Sequence, residues 1–81
     1  MAEVEDISEA LRERVHELES RMVIEQAKGM IAARHHIGLQ AAFEAMRRAA
    51  RSNHMSLHQL AAGVVSEPGT PLEIVRELYD A

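Results

Sequence analysis

From Val4 to Ile31 the apolar residues of this chain keep helical register, yet they do not stay on one side of the helix. Val4, Ile7, Leu11, Val15, Leu18 and Met22 recur with a mean spacing close to 3.6 residues and form one continuous stripe. At about 100° per residue, Val23, Ile24, Ala27, Met30 and Ile31 lie roughly 150° farther round. A face that changes sides within one helix requires two different partners. The later face is short enough to be met by helices from the rest of the chain. The earlier stripe, about three turns long, has no counterpart of that length in the sequence. The same helix from a second copy, in a coiled-coil-like homodimer through Ile7, Leu11, Val15, Leu18 and Met22, is the simplest cover. Burial under the last helix of the same chain is the alternative. Arg14 and Arg21 intrude on a strict heptad and are placed to form flanking ion pairs with Glu13, Glu17 and Glu25.

The remaining elements are marked by local signals. Asp6 with Glu9 reads as a capping box, starting the first helix near Ile7, and Gly38 supplies a break after His35 and His36. Leu39 to about Ser52 forms a second helix, with Leu39, Phe43, Met46 and Ala50 as its core face, widened by Ala42 and Ala49. Ser56 with Gln59 is a further capping box, opening a third helix whose apolar side is Leu57, Leu60, Ala61, Val64 and Val65. Glu67-Pro68-Gly69 stops it. Thr70-Pro71 with Glu73 restarts a fourth, facing inward through Leu72, Val75, Leu78 and Tyr79. Gly29, costly in a helix interior, lies on the continuation of the first stripe beside Ala32 and Ala33, where it would permit close approach of another helix. The fold expected is all-α: a long N-terminal, coiled-coil-like helix, then a small three-helix bundle with a short extra C-terminal helix. Residues 1–22 form the dimerisation part, 23–66 the bundle and 67–81 the linker and last helix.

Charge is unevenly spread. The net charge is −4, but residues 1–25 hold eight acids against three arginines, and residues 66–81 four acids against Arg76. Between them, Lys28, Arg34, Arg47, Arg48 and Arg51 face Glu44 alone. A basic middle between acidic ends fits a polyanionic partner better than the total suggests, although surface arginines can also serve solubility. With no cysteine there is no disulfide framework, thiolate nucleophile or cysteine-ligated metal. No signal peptide or membrane span is indicated, so a cytoplasmic protein is expected. His54 and His58 have metal-pair spacing, but His54 precedes the third helix and no Glu-x-x signature lies between them, so no metal or other cofactor is expected. Of His35 and His36, one is expected to face the terminal carbonyls of the first helix. No constellation suited to catalysis appears, and the chain is not expected to be an enzyme. Phe43 and Tyr79 are the only aromatics, which argues against modules that stack bases on an aromatic sheet. Helix 2, the turn at Asn53–Met55 and helix 3 could form a helix-turn-helix for DNA, though helix 3 offers only His58 and Gln59 as early donors.

The run Ile24-Glu25-Gln26-Ala27-Lys28-Gly29 is followed by Ala42-Phe43, Arg47-Arg48, Leu57, Leu60-Ala61 and Val64-Val65. In that order and spacing, over about Leu11 to Val65, the chain resembles the ANTAR domain, the RNA-binding module of bacterial transcription antitermination regulators. The resemblance implies a dimer that binds paired RNA stem-loops in nascent transcripts, commonly driven by an attached sensor domain. It assigns RNA contact to Lys28, Arg47, Arg48, Arg51, Gln26 and Arg34, and packing to Ala27 and Gly29. A sensor-domain protein or a full-length relative is a further expected partner. The chain departs from the family pattern at His36, where glycine is usual, and at Ala41, where an acid is usual. It departs again at His54–Ser56, where two basic residues are usual. The alternative is an ANTAR-like helical adaptor that pairs only with protein, and a DNA-binding helix-turn-helix comes third.

Overall fold

The computed structural model describes the backbone of residues 2–79 and the side chains of residues 8–79. The first helix is already formed at Ala2, so neither the expected start near Ile7 nor the Asp6–Glu9 box marks its N-terminus, and the side chains of Val4, Asp6 and Ile7 lie outside the described residues. Four helices follow one another, α1 (Ala2–His35), α2 (Leu39–Ser52), α3 (Leu57–Ser66) and α4 (Leu72–Tyr79), and no strand occurs among the described residues. At a rise of about 1.5 Å per residue α1 alone sets the length of the molecule, which measures 55 × 24 × 22 Å. The C-terminal half of α1 packs on α3 and α2, and α4 lies on α2.

The core follows from which residues these faces can supply. Ala27 and Ile31 of α1 are fully buried, with Val23, Ile24 and Met30 packed at their margin. They meet Ala42, Ala45, Met46, Ala49 and Ala50 of α2, Leu60, Ala61 and Val64 of α3, and Ile74 of α4. Six of these eleven residues are alanine, so the helices meet over thin layers and each contact removes little apolar area from water. Two expected core positions move. Leu39 is exposed in the first turn of α2 and Phe43 is only half-buried, because the face that turns inward is the narrower 42-45-46-49 row, which includes Ala45. In α4 the buried residue is Ile74, while Leu72 and Tyr79 point outward. Apolar residues at 72, 74, 75, 78 and 79 offer two overlapping faces, and docking on α2 selects the one centred on Ile74 and flanked by Leu78. A Cβ built on Gly29 would meet nothing within 4 Å, so this glycine serves no close approach within the described chain.

The N-terminal stripe stays open. Leu11, Val15, Leu18 and Met22 are 58%, 51%, 52% and 69% exposed, which leaves a row of large apolar side chains in water. Helix α4 does not cover them, since it is docked on α2. Nor is Glu25 available to Arg21: its carboxylate pairs with Lys28 at 2.8 Å.

The two sharp turns share one design. After α1, His36 takes a left-handed conformation (φ 54°) and the Ile37 N–H donates to the Ala32 carbonyl at 3.1 Å. After α2, His54 does the same (φ 53°), with the Met55 N–H donating to Ala50 at 2.9 Å and the His54 N–H to Arg51 at 3.3 Å. Both are Schellman-type ends in which the residue after the turn is apolar and rejoins the core. The break after α1 is therefore made by His36, and Gly38 instead occupies the N-cap of α2, extended and without a side-chain cap bond. The capping box of α3 forms as its spacing predicts: Ser56 Oγ accepts from the Gln59 N–H at 3.0 Å and Gln59 Oε1 from the Ser56 N–H at 3.1 Å. His35 does not turn to the end of α1. Its Nδ1 lies 2.8 Å from the Tyr79 hydroxyl and its Nε2 2.8 Å from that of Thr70. The Thr70 hydroxyl thus meets His35 rather than the first turn of α4.

A side chain with a Cβ in the left-handed region is disfavoured by about 1 kcal/mol, partly offset when glycine loosens the unfolded chain. His36→Gly should therefore raise stability by about 0.5–1 kcal/mol. Urea denaturation at fixed protein concentration should show a higher midpoint with an unchanged slope.

Candidate nucleic-acid interface

Helix α2 buries one face in the alanine-rich core, and the opposite face is where its arginines must go. Glu44, Arg47, Arg48 and Arg51, spaced by three or four residues, line a shallow recess of about 220 Å³ on that outer side. All three arginines are exposed. Like charges one turn apart, at 47/51 and 48/51, repel by a few tenths of a kcal/mol. Helix α2 therefore tolerates a self-repelling surface that an incoming anion would relieve. Planar guanidinium groups suit phosphate oxygens and base edges.

Lys28 joins this face from α1. Its ammonium lies 5.6 Å from the centre of the Phe43 ring, and the Arg47 guanidinium carbon lies 5.8 Å from the same centre. One aromatic ring thus gathers cations from two helices by cation–π attraction. The spacing of Phe43 predicts a core position; its half-buried place on the flank of α2 gives it this second role. A signal exists in the sequence, because the 42-45-46-49 row is complete without it.

The other expected contacts are differently placed. Gln26 is exposed, but two positions before Lys28 puts it about 200° round α1 from that residue. Arg34 falls close to the Ala27–Ile31 face, half-buried, and its Nη1 is buried without a hydrogen-bond partner. The structure therefore brings together Lys28, Arg47, Arg48 and Arg51 and sets Gln26 and Arg34 apart. Among the described residues Arg47 and Arg51 meet no carboxylate, whereas Arg48 Nε is 3.2 Å from Glu77 of α4. That contact, reinforced by Ser52 Oγ at 3.4 Å from the other carboxylate oxygen, has no counterpart in any local sequence signal.

Helix α3 offers little to a DNA groove. The Gln59 side-chain oxygen is held in the capping box, which fixes this side chain back toward Ser56, and His58 is half-buried, its ring centre 6.1 Å from that of His16. The turn before α3 carries His54, Met55 and Ser56 and no lysine or arginine. Among the described residues no group of three or more His, Cys, Asp or Glu is placed to hold a metal ion. No helix there is long and apolar enough to cross a membrane.

Comparison with known proteins finds no match among curated proteins or solved structures. The family model of the ANTAR domain matches residues 5–65, three quarters of the chain. That span takes in most of α1 and nearly all of the bundle, including Lys28 and the three arginines, and stops before α4. With the helices in the expected order and the basic face assembled from within the matched span, the chain belongs to the ANTAR domain family.

Proposed function

We propose that this chain is an RNA-binding regulator of transcription antitermination that engages paired stem-loops in nascent transcripts as a homodimer. The observation that carries the reading is the outer face of α2. Arg47, Arg48 and Arg51 line one recess there, and Lys28 is drawn to the same side by Phe43. Phosphate contacts from such a face would supply affinity through counterion release, and the shape of the stem-loops would supply selectivity. The exposed Leu11–Met22 row supports the dimer, since large apolar residues at helical spacing are stable in water only when a partner covers them. Pairing two copies through α1 would present two basic faces, one for each stem-loop.

A second reading has one observation in its favour. The α2–α3 turn lacks the cations the family usually carries there, which suits an adaptor that pairs with protein, such as a full-length relative, and leaves RNA alone. The two readings separate on the arginines.

With a synthetic two-hairpin RNA, Arg48→Ala or Arg51→Ala should weaken binding several-fold and lower the slope of log affinity against log salt by about 1 each. A gel-shift titration at several salt concentrations measures both; full protein association with no RNA binding by the parent chain would favour the adaptor. Leu18→Glu should shift sedimentation equilibrium from dimer to monomer while leaving the bundle helical by circular dichroism, because residue 18 touches nothing in the core.

A further inference from the structure

Helix α4 lies beyond the span matched by the family model, yet it is docked against the helix that carries the basic face. Its anchorage has three parts. Ile74 is fully buried, and His35 holds Thr70 and Tyr79 at the two ends of the segment. At the α2 border, Glu77 reaches Arg48 Nε at 3.2 Å and Ser52 Oγ at 3.4 Å. Of the arginines lining the recess, Arg48 is the one met by a carboxylate from another helix, and its side chain remains about half-exposed. The contact therefore occupies the guanidinium without sealing it.

The chemistry of that contact is the chemistry of a phosphate. A carboxylate that accepts from a guanidinium N–H and a hydroxyl O–H presents two oxygens where a phosphate would present its own. The Glu77 carboxylate and an RNA phosphate cannot both take Arg48 Nε. We infer that α4 is a built-in competitor: Glu77 holds Arg48 against nucleic acid, so that RNA must displace it to use the full basic face. The inference rests on the RNA-binding reading above and adds to it a regulatory element outside the family's matched span. Its size is limited by exposure. An ion pair half open to water restrains binding modestly, which lowers affinity for any polyanion without abolishing it.

A double-mutant cycle with the two-hairpin RNA at low salt tests this. Glu77→Gln should bind about two- to fivefold more tightly than the parent chain. The gain should vanish in the Arg48→Ala background, where there is nothing left to release. Glu77→Gln keeps the buried Ile74 and the His35 bonds, and an unchanged thermal melt would confirm that α4 stays folded. A gain that persists without Arg48 would reduce the effect to bulk charge and overturn the competition. So would no gain at all while Arg48→Ala still weakens the parent, a result that leaves the RNA-binding reading intact. If no chain of the cycle binds RNA, the RNA-binding reading itself fails and the competitor falls with it.

Discussion

Everything in this molecule depends on the rotation of the apolar face along α1. From Leu11 to Met22 the helix turns its large side chains away from its own bundle; from Val23 onward it turns them into it. One rigid rod thereby joins an open apolar row to a closed core. Whatever binds the row is fixed in distance and orientation relative to the basic face of α2. In a flexible linker the same two surfaces would be independent; in a continuous helix they are one geometric unit. An account of function that uses either surface must therefore place the other.

The second constraint is the poverty of the core. With alanine at six of its eleven buried positions, the bundle buries modest apolar area for its size, and short helices such as α3 and α4 could not persist alone. Their docking on the core is supplemented by the reciprocal Ser56–Gln59 box and the His35 bridge to Thr70 and Tyr79, while Schellman turns close α1 and α2. The thin core has a functional consequence as well. Because small residues satisfy the inner face of α2, the outer face is left free for three arginines, and Phe43 is left on the flank where Lys28 and Arg47 can gather.

Features set by local spacing are legible in the sequence alone. The helix order, the switch of faces in α1, the α3 capping box and the clustering of cations follow from spacings of three or four residues, which are set by helix geometry alone. What could not be read depends on contacts between distant residues. Nothing near Glu77 in sequence points to Arg48, and nothing near His35 points to Thr70. The apolar residues of α4 admit two faces, and only docking decides for Ile74 over Leu72. The turns misled in a different way: a left-handed residue is usually announced by glycine, and here histidines occupy both positions while Gly38 sits in extended backbone.

The claim that joins the two surfaces of α1 into one device is that two copies of the chain hold two stem-loops at once. Sedimentation velocity with a two-hairpin RNA and with either hairpin alone tests it most directly. The account predicts two protomers on each two-hairpin RNA, and binding to a single hairpin weaker by about tenfold or more, because the second contact is made at high effective concentration. One protomer per RNA, with equal affinity for one hairpin and for two, would contradict it.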